Sequence, residues 1–469
     1  MAPPRKSFDR SIVDGPIAAA VWKIAWPTVL QNVIGGLQGI VDHAMVGHFV
    51  GFKGNAAVGV SLQIFLVVIT FVMSVFAGMG VLVARATGAN DAPMVNRVVY
   101  QSFLAAILLA IFVLVPIGYF AAPTLLELVH AAPEVRAEAL PFLRTMMIGG
   151  IAMMLMFMLG GALRAAGDAK TPLRLGVAMT ALNMGLNIVL IRGLGPIPAF
   201  GTIGAAMGTV IAGVIVSSVG FWLLLSGRLV VHWERGMDWR PDWAIIRQLF
   251  RFGLPTGIQG IVMNIAGVML LRFMGSMAMS AQTQAAYAIG YSELFSFITW
   301  TSVGLMGAAA AVAGQNLGAE RPARAVQAVH VAARMGLGIA VFVGALFLLL
   351  PMQLFGLFGM QDPAVLAIGE QLLRWLSVSG LFITVALTFT GGLQGTGDTR
   401  APLVISIISQ VLLPLGICFT LQATSGLTPP GIWTAILVGH MTRAALTVLR
   451  FRGGKWQAIQ VGVPVGAGH

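Results

Sequence analysis

The sequence predicts an all-α, polytopic membrane protein of about twelve transmembrane helices, arranged as two six-helix lobes about a pseudo-two-fold axis along the membrane normal. Three observations predict it. Of 469 residues, 58% are hydrophobic and only 9% are charged, where an ordinary soluble domain carries about a quarter charged. The apolar residues fall in runs that accommodate the roughly 20 residues of a helical span, far beyond the roughly ten-residue alternating strands of a membrane barrel. The chain also repeats itself at an offset of 230 positions.

Taken in order, the apolar runs place spans at 21–49, 55–84, 97–120, 134–160, 171–191, 202–225, 250–272, 282–313, 324–350, 364–390, 401–421 and 431–449. The first contains Lys23 and runs on too long for the short core of a secretory signal, so it is expected to be retained as a span. The stretch 227–247 is the one long polar connection, and its Trp233, Trp239 and Trp243 suit a membrane interface. The expected organisation is a cytoplasmic tail at 1–20, a lobe at 21–226, a cytoplasmic linker at 227–247, a second lobe at 248–450 and a cytoplasmic tail at 451–469. Placing the N-terminus inside puts 22 of the 28 Lys and Arg on the cytoplasmic side, counting helix ends, and only Lys53, Arg136, Arg144, Arg192, Arg272 and Arg374 outside. That bias favours cytoplasmic termini. It also explains the net charge of +12 without a nucleic-acid partner, which would call for basic residues clustered on one face. Cys418 is the single cysteine and can form no intramolecular disulfide.

The offset of 230 lays Gly161, Leu163, Gly167, Asp168, Pro172 and Leu173 on Gly391, Leu393, Gly397, Asp398, Pro402 and Leu403. An offset of 228 lays Pro27, Thr28 and Gln31 on Pro255, Thr256 and Gln259. Each half thus has six spans, an even number, so both enter the membrane in the same sense. Two similar lobes suit alternating access by a secondary transporter. A channel is disfavoured because no filter motif or ring of charge is present, and an ATP-driven pump because there is no GxxxxGK[ST].

The segments AWPTVLQNVIGGLQGIVDHAMVGHFV (25–50), VAGQNLGAE (312–320), GALRAAGDAKTPL (161–173) and GGLQGTGDTRAPL (391–403) resemble the multidrug and toxic compound extrusion (MATE) family, over essentially the whole chain. The resemblance implies two six-helix lobes forming a V and efflux of cationic or lipophilic compounds in exchange for H+ or Na+. The twin glycine-aspartate motifs read either as a gate or as tight turns; turn chemistry explains their residue types.

Asp42 is the aspartate of the first half that falls inside an apolar span, where an ionisable group costs roughly 2.5 to 3.5 kcal/mol on insertion scales. It reads as a proton or cation carrier, or else as a neutral acid holding two helices together. Helix direction places Asn187 and Thr209 at its depth. The resemblance matches Asp42, Asn187 and Thr209 to a family cation site. A second carboxylate that the family pattern expects four residues after Asn187 is replaced by Ile191, which weakens a Na+ site more than a proton site. In the second half the family's acidic positions appear as Met263 and Ile383. Glu293, with its repeat partner Gln63, and Gln259, Asn264 and Asn183 remain as candidates for the substrate cleft or a secondary proton site. His43 points about 100° away from Asp42 around the helix and reads as packing. Glu370 and Arg374, four apart, read as an ion pair.

The expected function is therefore a secondary antiporter exporting drugs or organic cations, with H+ as coupling ion and Na+ as the alternative, and no cofactor. It would lie among lipids of a bacterial inner membrane, with no nucleic acid and no obligate protein partner. The competing readings are a lipid-linked saccharide flippase, which would want a basic groove, and a membrane-embedded enzyme, which would want clustered catalytic groups.

Overall fold

A computed structural model describes residues 7–129, 132–233, 236–277 and 279–461. The outer parts of the two tails, 1–6 and 462–469, and positions 234–235 of the linker lie outside the described residues. Among the described residues twelve helices are long and apolar enough to cross a membrane and no strand forms. They are α1 Ile17–Phe49, α2 Phe52–Gly88, α3 Ala92–Leu128, α4 Pro133–Ala165, α5 Lys170–Arg192, α6 Thr202–Leu225, α7 Trp243–Gly275, α8 Ser280–Gly318, α9 Pro322–Leu349, α10 Pro363–Thr396, α11 Arg400–Thr424 and α12 Pro429–Arg452.

Local chemistry sets the starts. Proline opens α4, α9, α10 and α12, where its missing N–H costs nothing because the first turn has no acceptor for it. Asp362 accepts from the backbone N–H groups of Ala364 (2.8 Å) and Val365 (3.1 Å) at the head of α10, and Asp91 does the same for Met94 (3.0 Å) in α3. The twin motifs are tight turns. Gly167 and Gly397 hold φ of +96° and +103°, a region open to glycine at no steric cost. Asp168 then accepts from the N–H (3.0 Å) and hydroxyl (2.6 Å) of Thr171. Asp398 accepts from the N–H of Ala401 (3.3 Å) and is gripped by Arg450 at 2.7 Å.

The chain forms two compact units. One comprises Val33–Gly257; the other joins Arg10–Asn32 to Ile258–Val461. The division falls within α1 and α7, a few residues beyond Pro27 and Pro255, the repeat-related prolines that each remove one helical hydrogen bond. The first turns of α1 accordingly belong with the second-half helices, and those of α7 with the first-half helices.

In the first unit, the linker docks along α3. Tyr100 donates to the Trp239 carbonyl (2.8 Å), Gln101 donates to the Arg240 carbonyl (2.7 Å) and accepts from the Asp242 N–H (3.0 Å), and Arg97 pairs with Asp242 (2.7 Å). Trp243 is exposed, as an interfacial residue would be. Trp233 instead packs edge-on against Tyr100, Phe103 and Trp239.

In the second unit, a short helix at Ser11–Asp14 docks where α8 meets α9. Arg321 donates to the Val13 carbonyl (3.0 Å) and to Asp14 (2.8 Å), Arg324 donates to the Gly15 carbonyl (2.6 Å), and Ile12 and Val13 are buried. Its core centres on Phe295, Phe355, Leu372 and Trp433. Glu370 and Arg374 form the expected pair at 2.6 Å.

Candidate functional site in the first unit

Helical spacing gathers the polar residues of the first unit. Gln38 and Asp42 are four apart on α1 and so share a face; Thr180, Asn183 and Asn187 do the same on α5. Asn187 donates to Asp42 Oδ1 at 2.8 Å and to Asn183 Oδ1 at 3.3 Å. Asn183 donates to Thr209 Oγ1 on α6 at 3.0 Å. Gln38 donates to Asn183 Oδ1 (3.0 Å) and accepts from Thr180 (2.6 Å). Asn183 and Asn187 are fully buried, whereas Asp42 and Thr209 are partly accessible. The structure therefore brings together Asp42, Asn187, Thr209 and Asn183, with Thr209 reaching Asp42 through Asn183.

The Asn183 amide oxygen faces Asp42 Oδ1 at 3.2 Å. Two acceptors hold that approach only with a hydrogen or a cation between them. A hydrogen is supplied when the Asn183 amide turns over and donates to an ionised Asp42 while accepting from Thr209, or when a protonated Asp42 donates to Asn183. Both forms of the carboxyl find partners in the same cage. Asn187 Oδ1 is buried without a partner, and it lies where a Cβ on Gly208 would come within 2.1 Å. Gly208→Ala should push Asn187 off Asp42. It is expected to cost about 1–3 kcal/mol of stability, as overpacking does, and to weaken transport at matched abundance; wild-type transport and thermal stability would show that the contact does not matter.

Ile191 is buried where the second carboxylate was expected, which leaves Asp42 as the one carboxylate of the cluster. His43 turns away from it, its Nδ1 lying 2.7 Å from Asn55 Oδ1. Of the other candidates, Gln63 belongs to the first unit and Gln259, Asn264 and Glu293 to the second. Gln63 is exposed on α2 and Asn264 is exposed on α7. Gln259 is buried, donating to Ser406 (2.8 Å) and accepting from Gln394 (3.2 Å), which ties α7 to α11 and α10. Glu293 is partly buried in a π-helical turn of α8, Ala288–Leu294, a widened turn of the kind often found at functional sites.

Two members of the cluster, Gln38 and Thr180, escape a search for charge in apolar runs because both are neutral. The signal that finds them is spacing, one turn before Asp42 and one turn before Asn183. Arg443 was counted with the cytoplasmic helix end of α12, yet it is buried inside that helix.

The MatE sequence profile matches residues 27–189 and 255–420, once in each half. A probable multidrug resistance protein NorM of Thermotoga maritima is 26% identical over 442 residues, covering 93% of this chain and 92% of its own. The multidrug resistance protein MdtK of Pectobacterium atrosepticum is 25% identical over 446 residues, covering 92% and 94%. Among solved structures, an outward-facing multidrug resistance MATE family transporter of the MOP superfamily superposes with a TM-score of 0.89 at 22% identity, over 97% of this chain and all of that one.

Proposed function

The chain belongs to the MatE family, and on that premise we propose that it exports organic cations and lipophilic compounds by antiport against protons, with Asp42 as the proton carrier. Membership makes it a multi-pass membrane transporter of small molecules and not an enzyme. The proposed setting is a bacterial inner membrane with both termini cytoplasmic, supported by the distribution of basic residues, 21 to 6 with the buried Arg443 set aside.

The observation that carries the proton is the Asp42 cage. One carboxylate accepts from the Asn187 amide and lies beside the Asn183 amide, and neutral amides can serve both of its protonation states. A Na+ ion would need several hard oxygen ligands, and Ile191 removes the second carboxylate that would supply them. In operation Asp42 loads a proton from the outer side, which cancels the charge a cationic solute would seek. Release of that proton to the inside restores the charge and the affinity for the solute. Exchange needs only that the two ligands favour different states of the same site.

The test is substrate-driven proton movement in proteoliposomes holding a pH-sensitive dye. Adding an organic cation such as ethidium should dissipate an imposed pH gradient equally in Na+ and in choline buffer. Dissipation that requires Na+ would reassign the coupling ion, and none in either buffer, for any compound of a broad cationic panel, would overturn proton antiport.

A further inference from the structure

The second unit holds a buried cation for which nothing above accounts. Arg443 is 5% exposed and lies on α12 about 14 Å from that helix's C-terminal end at 1.5 Å per residue. Among the described residues no carboxylate lies within ion-pair distance of it, and its Nε is buried without a partner. One turn further along the same face, Thr447 is fully buried and its hydroxyl is also unpartnered. The groups that feel the guanidinium are the phenol of Tyr291, from the π-helical turn of α8, and His440, one turn earlier on α12. His440 is held by Ser379 of α10 at 2.5 Å and stacks on Phe295, so it does not turn to serve Arg443. Tyr291 in turn stacks on Tyr287 at 4.8 Å.

A guanidinium can only donate hydrogen bonds, and a buried charge left unpaired is strongly disfavoured. The two orphaned groups, one turn apart on one face, lack a shared negatively charged acceptor. The geometry points to Arg443 and Thr447 as the binding site of a monovalent anionic group. Two sources share that chemistry: a free halide, and the carboxylate of an amphiphilic solute. Either would give the second unit a ligand opposite in sign to the one that suits Asp42. Anion binding at this place does not depend on proton antiport at Asp42.

The test uses the full-length purified protein in sodium gluconate, titrated at constant ionic strength with chloride in one arm and benzoate in the other, and reads the unfolding midpoint. The expected result is a saturable upward shift in at least one arm, since a ligand that binds only the native state stabilises it. A chloride response identifies the free halide; a response to benzoate alone identifies the solute carboxylate. The shift should vanish in Arg443→Gln, weaken in Thr447→Val, survive in part in Arg443→Lys and persist in Asp42→Asn. A flat wild-type response to both anions overturns the proposal even if every Arg443 variant fails to fold. So does an Arg443→Gln protein that shifts as far as wild type.

Discussion

Asp42→Asn is expected to abolish uphill export while leaving insertion and folding intact. Asparagine has the shape of the protonated acid, and with its amide oxygen in the place of Asp42 Oδ1 it still accepts from Asn187, while a turned Asn183 amide can donate to the same oxygen. What disappears is the alternation: a side chain fixed in its neutral form neither releases a proton nor regains affinity for a cation. At wild-type abundance, substrate-driven dissipation of a pH gradient should fall to the level of empty vesicles, and tolerance of a pump-deficient bacterium to cationic dyes should fall with it. Glu293→Gln should do less, because Glu293 lies outside the cluster in the other unit. If Asp42→Asn still moves protons on drug addition, Asp42 is a structural acid and the carrier must be sought at Glu293.

Gly253→Leu is expected to eliminate folded protein. The first turns of α7 meet α2 with almost nothing between their backbones. A Cβ at Gly253 would lie 1.8 Å from the Ser74 carbonyl oxygen, and one at Gly78 would lie 2.0 Å from the Leu249 carbonyl oxygen. The contact is thus reciprocal, glycine on each helix facing backbone on the other, as in the close packings that small residues allow in membranes. A flexible side chain could swing aside; a helix carbonyl cannot. Overpacking a core costs about 1–3 kcal/mol, and backbone on the opposing side gives the larger values. Size-exclusion chromatography should show aggregate for Gly253→Leu, an intermediate profile for Gly253→Ala and a wild-type profile for Gly267→Leu. The last is the control, because Gly267 lies on the same helix with open space about it. A monodisperse, thermally normal Gly253→Leu protein would sink the idea that this contact is required.

The spans were legible because each apolar run is as long as a bilayer is thick. Their ends were not: α2 continues to Gly88 and α10 to Thr396, since a helix with satisfied caps continues past the hydrocarbon and hydropathy reports only the hydrocarbon. Asp42 was legible by its charge, and Asn187 and Thr209 by depth together with family resemblance. Gln38 and Thr180 were hidden because a neutral side chain within a span leaves no trace in a charge count. Arg443 was visible but misplaced. Nine residues from the end of α12, it could snorkel toward water as basic residues near helix ends do, and only its burial in the folded unit shows that it stays inside. The prolines of α1 and α7 could be paired from the repeat, but which helices their first turns pack against could not, because an apolar face does not name its partner.

The exchange of half-helices between the two units also sets an order of events during synthesis. A nascent chain that has emerged through α6 already contains every residue of the Asp42 cage, yet its first unit lacks Trp243–Gly257, and the bare groove at Ser74 and Gly78 has no occupant. Meanwhile Ile17–Asn32, made first, has no home until α8 is finished more than 250 residues later. The first unit therefore cannot close behind the ribosome until Trp243–Gly257 arrives from the other half of the message, whereas the second receives a segment that has waited since the start of synthesis. The loss of either half-helix should be felt in the unit to which it does not belong by sequence.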